Sequence, residues 1–211
     1  MAKESKFNRK SPSPFSYFLA LILVNVVLMA LAGIFYNGHF DFLRYPLSDL
    51  GATLSQTGLP NTFSSHIYSL NMFLNGAILF LLANHFRKFK PDNGLLPLLC
   101  FLGGSGAVIA GASPDNIQPV FHDLGSALLV AALWLLATTN IYAIRKRLGK
   151  TSYLFLQIAV LQIPIIAYAL TFFMRLPLND ILQKPALLGL AAILLYSTLN
   201  SSHILKNFNA S

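Results

Sequence analysis

The sequence predicts an all-α fold, an integral membrane bundle of six transmembrane helices with both termini cytoplasmic. Three observations predict it. The first is the scarcity of charge: only 10% of the 211 residues are Asp, Glu, Lys or Arg, and 55% are hydrophobic. Soluble domains carry about 25% charged residues, so this chain cannot cover a water-facing surface of its size. The second is that the apolar residues come in runs near the length needed to cross about 30 Å of hydrocarbon at 1.5 Å per residue. The third is the placing of the basic residues, which form short clusters between those runs.

The runs place spans at 16–36, 66–86, 95–112, 120–144, 152–173 and 186–205 of a single domain covering 1–211. Each is apolar nearly all round, as expected of helices bathed in lipid or packed in a bundle. The period-two alternation of a barrel strand is absent. The polar, Pro- and Ser-rich residues 1–14 read as a mobile cytoplasmic lead, and "SPSPFS" can start the first helix. "MALAG" (Met29 to Gly33) also fits the end of a cleavable signal segment, an alternative that would leave five spans. Against it, the apolar run continues past that site through Ile34, Phe35 and Tyr36. Pro164 is expected to kink the fifth span, and Asn25, Gln157 and Gln162 to bond to neighbouring helices. Cys100 is alone, so no internal disulfide can form.

Charge sets the orientation. Of the 15 Lys and Arg, only Arg44, Arg175 and Lys184 fall on the side away from the termini. Lys3, Lys6, Arg9, Lys10, Arg87, Lys88, Lys90, Arg145, Lys146, Arg147, Lys150 and Lys206 fall on the other. By the positive-inside rule that side is the cytoplasm, and the expected location is a bacterial inner membrane, crossed several times. The net charge of +8 is therefore a topology signal, and nucleic acid is not an expected partner. The acids are skewed the opposite way: Asp41, Asp49, Asp115, Asp123 and Asp180 lie outside, and only Glu4 and Asp92 inside. Acids contribute little to insertion, so the skew points to chemistry at the outer face.

Several polar residues stand out against the apolar background. Ser64, Tyr68, Asn71 and Asn75 form one helical stripe in the second span. It reads either as interhelical hydrogen bonding or as the wall of a polar pocket open to the outside. Gly103, Ala107 and Gly111 form a small-residue ridge in the third span, suited to close helix packing or to homo-oligomerisation. His122 and Ser126 share a face at the start of the fourth span, with Asp123 about 100° round from His122. Dipole compensation accounts for Asp123, yet ionisable groups beside lipid usually mark a site or a paired network. The long first outer connection carries His39, Asp41, Arg44, Ser48 and Asp49, with Pro46 and Gly51 signalling an ordered turn. Arg44 is in a position to pair with Asp49, Asp115 or Asp123.

"YPLSDLGA" (45–52), the Asn-bearing second span, "GASPDN" closing the third and "HDLGSALL" (122–129) together resemble a family. The chain resembles bacterial membrane proteins of domain-of-unknown-function family 998, which look distantly like the damage-regulated autophagy modulator family. The resemblance covers residues 16 to 205, most clearly at Ser48, Asp49, Gly51, His122 and Asp123. It implies the six-span fold, and its eukaryotic relatives are associated with lipid handling. It implies no activity, and no catalytic residue can be carried over.

The expected function is a lipid-associated membrane protein with membrane lipids as partners and no cofactor. Arg44, Ser48, Asp49, Asn71, Asn75, Asp115, His122 and Asp123 are the candidate ligand-binding residues at the outer face. Asp49, Asp115, His122 and Asp123 are expected to converge in one network, with steps near 3 Å or bridged by water. One alternative is a metal-dependent lipid hydrolase in which His39, His66 and His122 hold zinc, Asp49 or Asp123 orients a ligand or acts as base, and Ser48 steadies an oxyanion. A small transporter is another alternative, although ionisable residues are absent from mid-span.

Overall fold

A computed structural model of the chain describes residues 13–148, 152–176 and 178–208. Those residues form six long helices: α1 Pro14–Ile34, α2 Thr62–Phe89, α3 Leu95–Ala112, α4 Pro119–Leu148, α5 Ser152–Phe173 and α6 Asn179–Phe208. All six are long and apolar enough to cross a membrane. Among the described residues there is no strand, only a single bridge between Leu54 and Pro60.

The helices run up and down, so connections alternate between two ends. One end, here the loop end, carries residues 35–61, 113–118, 174–176 and 178. The other, the basic end, carries 90–94 and the last turn of α4. Arg87, Lys88, Lys90, Arg145, Lys146 and Arg147 gather at the basic end, and Asp41, Asp49, Asp115, Asp123 and Asp180 at the loop end. The remaining basic-side residues Lys3, Lys6, Arg9, Lys10 and Lys150, with the side chain of Lys206, lie outside the described residues.

α3 packs between α2 and α4, α1 lies against α2, and α6 touches α1, α4 and α5. One apolar core draws on every helix, with Phe18, Leu79, Leu99, Leu136, Leu161 and Ile193 among its members. The expected ridge of Gly103, Ala107 and Gly111 is buried within the chain: Gly103 faces Ala132 and Leu79, and Gly111 faces Met72. The close packing predicted for it is realised between α3 and its neighbours, so a second copy would have to meet another surface.

In α5 the turn widens to π geometry over Leu156–Gln162, and the Ile163 N–H bonds the Ile158 carbonyl five residues back. Pro164 follows directly, and it offers no N–H to the Val160 carbonyl four residues earlier. That carbonyl faces Gly189 of α6, where any β-carbon would collide with it. The sixth helix starts earlier than expected. It runs through Pro185, and Lys184 hydrogen-bonds both the Asp180 carbonyl (2.5 Å) and the Tyr45 carbonyl (2.6 Å).

Candidate functional site

The connection between α1 and α2 is an ordered cap over the loop end. Residues Leu47–Gly51 form a 3-10 turn whose carbonyls are taken up by side chains at the start of α2. Ser64 Oγ donates to the Leu50 carbonyl at 2.9 Å, and Asn61 Nδ2 donates to the Ala52 carbonyl at 2.9 Å. Both side chains are fully buried. Gly51 is needed here because a β-carbon would lie 2.5 Å from the ring of Tyr68, which stands directly beneath. The turn is tied to α6 through the Leu47 N–H and Gln183 Oε1 (2.9 Å). It is tied to the α3–α4 connection through Thr53 and Asn116, which exchange hydrogen bonds of 2.8 and 2.9 Å.

This framework buries Asp49. Its carboxylate is 9% exposed and accepts a short hydrogen bond from the Gln56 amide, whose backbone N–H in turn bonds the Tyr36 hydroxyl. Burial raises the Asp49 pKa, and the neighbouring Asp115 and Asp180 push the same way. The Gln56 bond and the Lys184 ammonium pull it back. Asp49 and Asp115 share the lining of a recess of about 400 Å³ with Ser55, Gln56 and Asn116, and no basic side chain lines it.

His122 is placed by the crossing of α3 and α4. Gly125 lies one turn on, on the same face, and the α3 backbone presses against it at Gly106 and Ala110. The imidazole therefore turns toward the end of α3, where Nδ1 meets the Ser113 carbonyl at 2.8 Å. The ring is 2% exposed and lies 6.0 Å from that of Tyr68. Its Nε2 is buried without a hydrogen-bond partner among the described residues. Asp123, about 100° further round, is exposed.

The expected site residues thus separate into three groups. Asp49 and Asp115 meet at the recess, with Ser48 half-buried on the same turn. His122, Asn71 and Asn75 are interior. Arg44 and Asp123 face outward. Among the described residues no hydrogen bond directly links Asp49, Asp115, His122 and Asp123, and the buried His122 and exposed Asp123 point apart. The cause is helical geometry: once His122 turns toward α3, its neighbour must turn away. Arg44 does not reach Asp49, Asp115 or Asp123. Its 83% exposed side chain pairs with Asp41 at 3.7 Å, a local i,i+3 contact.

The polar stripe resolves into a closed ring of amides. Asn25 donates to Asn75 (2.8 Å), Asn75 to Asn71 (3.2 Å) and Asn71 to Asn25 (3.1 Å). Asn71 and Asn75 are 0% and 1% exposed, so they bind α1 to α2 and do not line the recess. Gln162 bonds Trp134 and Thr138 of α4, as its position in α5 suggested.

The three histidines are not brought together. His39 and His66 are exposed and His122 is buried. Among the described residues no three of His, Cys, Asp and Glu gather as a metal would require.

Compared with protein-family models, curated proteins and solved structures, the chain has no match.

Gln56, Asn61 and Asn116 shape the recess, and sequence reasoning passed over them. They act through contacts between loops, which carry no periodic signal. Asn61 offered a faint clue, as an Asn just before a helix, yet it bonds the 3-10 turn instead of capping α2.

Proposed function

We propose that the chain is a lipid-associated protein of a bacterial inner membrane, with both termini cytoplasmic, whose loop-end recess receives the cationic headgroup of a membrane lipid. The observation that carries this reading is the pairing of Asp49 and Asp115 across a recess that no Lys or Arg lines. Two carboxylates facing one space repel each other, and a cation between them relieves that repulsion. An amine-bearing headgroup, such as ethanolamine, supplies both the charge and several N–H donors.

Exposed apolar residues lie on and next in sequence to the recess lining. Leu54 is 50% exposed, and Ile117, Val120 and Phe121, which follow Asp115 in sequence, are 59%, 75% and 59% exposed. Exposed apolar residues of this kind support a headgroup site, since they are suited to acyl chains. The orientation rests on the basic cluster at the opposite end. Six spans are also what the resemblance to domain-of-unknown-function family 998 implies, and lipid handling is associated with the eukaryotic proteins that family distantly resembles.

The test is native mass spectrometry of the protein extracted gently from membranes containing phosphatidylethanolamine and phosphatidylglycerol. The wild type is expected to retain the ethanolamine lipid, and Asp115→Asn to lose that preference. Retention of the two lipids in equal measure, or an unchanged preference in the variant, would overturn the reading.

A further inference from the structure

A second cavity lies at the other end of the molecule, where nothing above assigns a role. It is a groove of about 630 Å³ between α2 and α3, roofed by the 90–94 connection. Its mouth carries Arg87 and Lys90, its middle Asn84, and its floor Phe80, Leu98 and Phe101.

The floor is built, not incidental. Gly104 lies under Phe80, where a β-carbon would come within 2.8 Å of the ring, so glycine lets the ring lie against α3. Phe80 and Phe101 then pack with tilted rings, centroids 5.5 Å apart. From Phe80 to Arg87 is seven residues, about 10 Å along the helix axis. The groove therefore runs from a charged mouth to an apolar floor, across the depth that separates a headgroup from the start of its acyl chains.

Among the described residues neither cation at the mouth forms an ion pair, with Asp92 of the same connection or with any other carboxylate. Among the described residues the one ion pair is Arg44 with Asp41, at the far end of the bundle. Lys90 sits over the Phe86 ring at 5.8 Å instead, and burial together with the Arg147 guanidinium lowers its pKa. A bound anion would neutralise this surplus.

We infer that this groove is a binding site for an anionic phospholipid, its phosphate held by Arg87 and Lys90 and its first acyl segment laid on Phe80, Leu98 and Phe101. Basic pockets between spans are suited to anionic headgroups. Charge complementarity selects the anion, and the apolar floor selects a lipid over a free phosphate. The floor opens onto exposed apolar surface, for Leu98 and Phe101 are 52% and 56% exposed. The site is separate from the loop-end recess and does not depend on it.

The test uses the full chain in a mild non-ionic detergent, titrated with dioleoyl phosphatidylglycerol or dioleoyl phosphatidylcholine and read by native mass spectrometry. The wild type is expected to bind the glycerol lipid more tightly than the choline lipid. The double variant Arg87→Gln, Lys90→Gln should lose about thirtyfold in affinity for it, the sum expected of two cations beside a headgroup. Lys88→Gln removes a nearby charge that does not line the groove and should leave affinity within about twofold. Equal loss in Lys88→Gln would reduce the effect to general surface charge and overturn the site. So would undiminished binding in the double variant. Complete displacement of the lipid by inorganic phosphate at millimolar concentration would point to a phosphate site and overturn the lipid assignment. A normal thermal transition in each variant separates lost binding from lost fold.

Discussion

Gly106 and Gly125 meet backbone to backbone where α3 crosses α4. A β-carbon on Gly106 would lie 2.6 Å from the Gly125 carbonyl oxygen, and one on Gly125 would lie 2.7 Å from the Gly106 carbonyl oxygen. Neither obstacle is a flexible side chain, so neither can swing aside. Gly106→Ala is therefore expected to force the helices apart and to cost about 1–3 kcal/mol, the usual range for overpacking. The thermal transition in detergent should fall accordingly. Gly94→Ala, where a β-carbon meets nothing within 4 Å, is the matched control and should change little. A Gly106→Ala protein as stable as the wild type would refute the close crossing.

The amide ring makes a prediction about additivity. Asn25→Ala removes one member and leaves Asn71 and Asn75 each short of a partner inside the bundle. A cost of about 1–2 kcal/mol is expected, given the modest value of hydrogen bonds between spans and the penalty for orphaned amides. Replacing all three asparagines by leucine leaves no unsatisfied group, and should cost less than three times the single change. Unfolding transitions of the single and triple variants measure this. Strict additivity would show that the three amides act independently.

Asp49 gives the pH prediction. Its folded pKa is raised, chiefly by burial, above its unfolded value. At pH below both values the group is protonated in either state and no cost arises. As pH rises through the unfolded and then the folded value, the folded state resists ionisation, and stability falls until both states are ionised. The ionised carboxylate is thus a liability at neutral pH. Asp49→Asn, which keeps a side-chain oxygen for Gln56 to bond, is expected to stabilise the protein at pH 7, with the gain shrinking as the buffer is made acidic. Melting curves of both proteins across that range decide it, and a gain that grows on acidification would have the wrong sign.

The spans were legible because lipid imposes a simple rule on sequence. α3 and α5 begin and end where the apolar runs do, at 95–112 and 152–173. The misjudged boundaries share a cause. The apolar run starts the second span at 66, yet α2 begins at Thr62, and Ser64 of the expected polar stripe is buried against the Leu50 carbonyl. Pro185 looks like a helix start, yet α6 accommodates it and begins at Asn179. The site was legible in part. Asp49 and His122 stood out as ionisable groups among apolar ones, and both are buried. Their partners did not stand out. Gln56 and Ser113 are ordinary polar residues, and only the folded cap and the helix crossing bring them to the acid and the imidazole.

Arg44 separates the sequence reading from the structure most sharply. Its guanidinium is solvated and its contact with Asp41 is local, and exposed pairs of that kind contribute little. Arg44→Ala is expected to leave both stability and lipid retention unchanged, by melting curve and by native mass spectrometry. Loss of retained lipid would place the arginine at the site after all.

His122 offers a spectroscopic test of the interior. The Ser113 carbonyl can only accept, so the 2.8 Å contact requires the proton on Nδ1. Nε2 is then left with a lone pair that is buried and has no partner among the described residues. The neutral ring should therefore rest in the Nδ1–H tautomer, the less common form in water. Nitrogen-15 spectra of histidine-labelled protein distinguish the two tautomers, with His122→Gln assigning the signal. An Nε2–H ring would mean that the Ser113 contact is not a hydrogen bond, and that the imidazole finds an acceptor elsewhere in the space beside Tyr68.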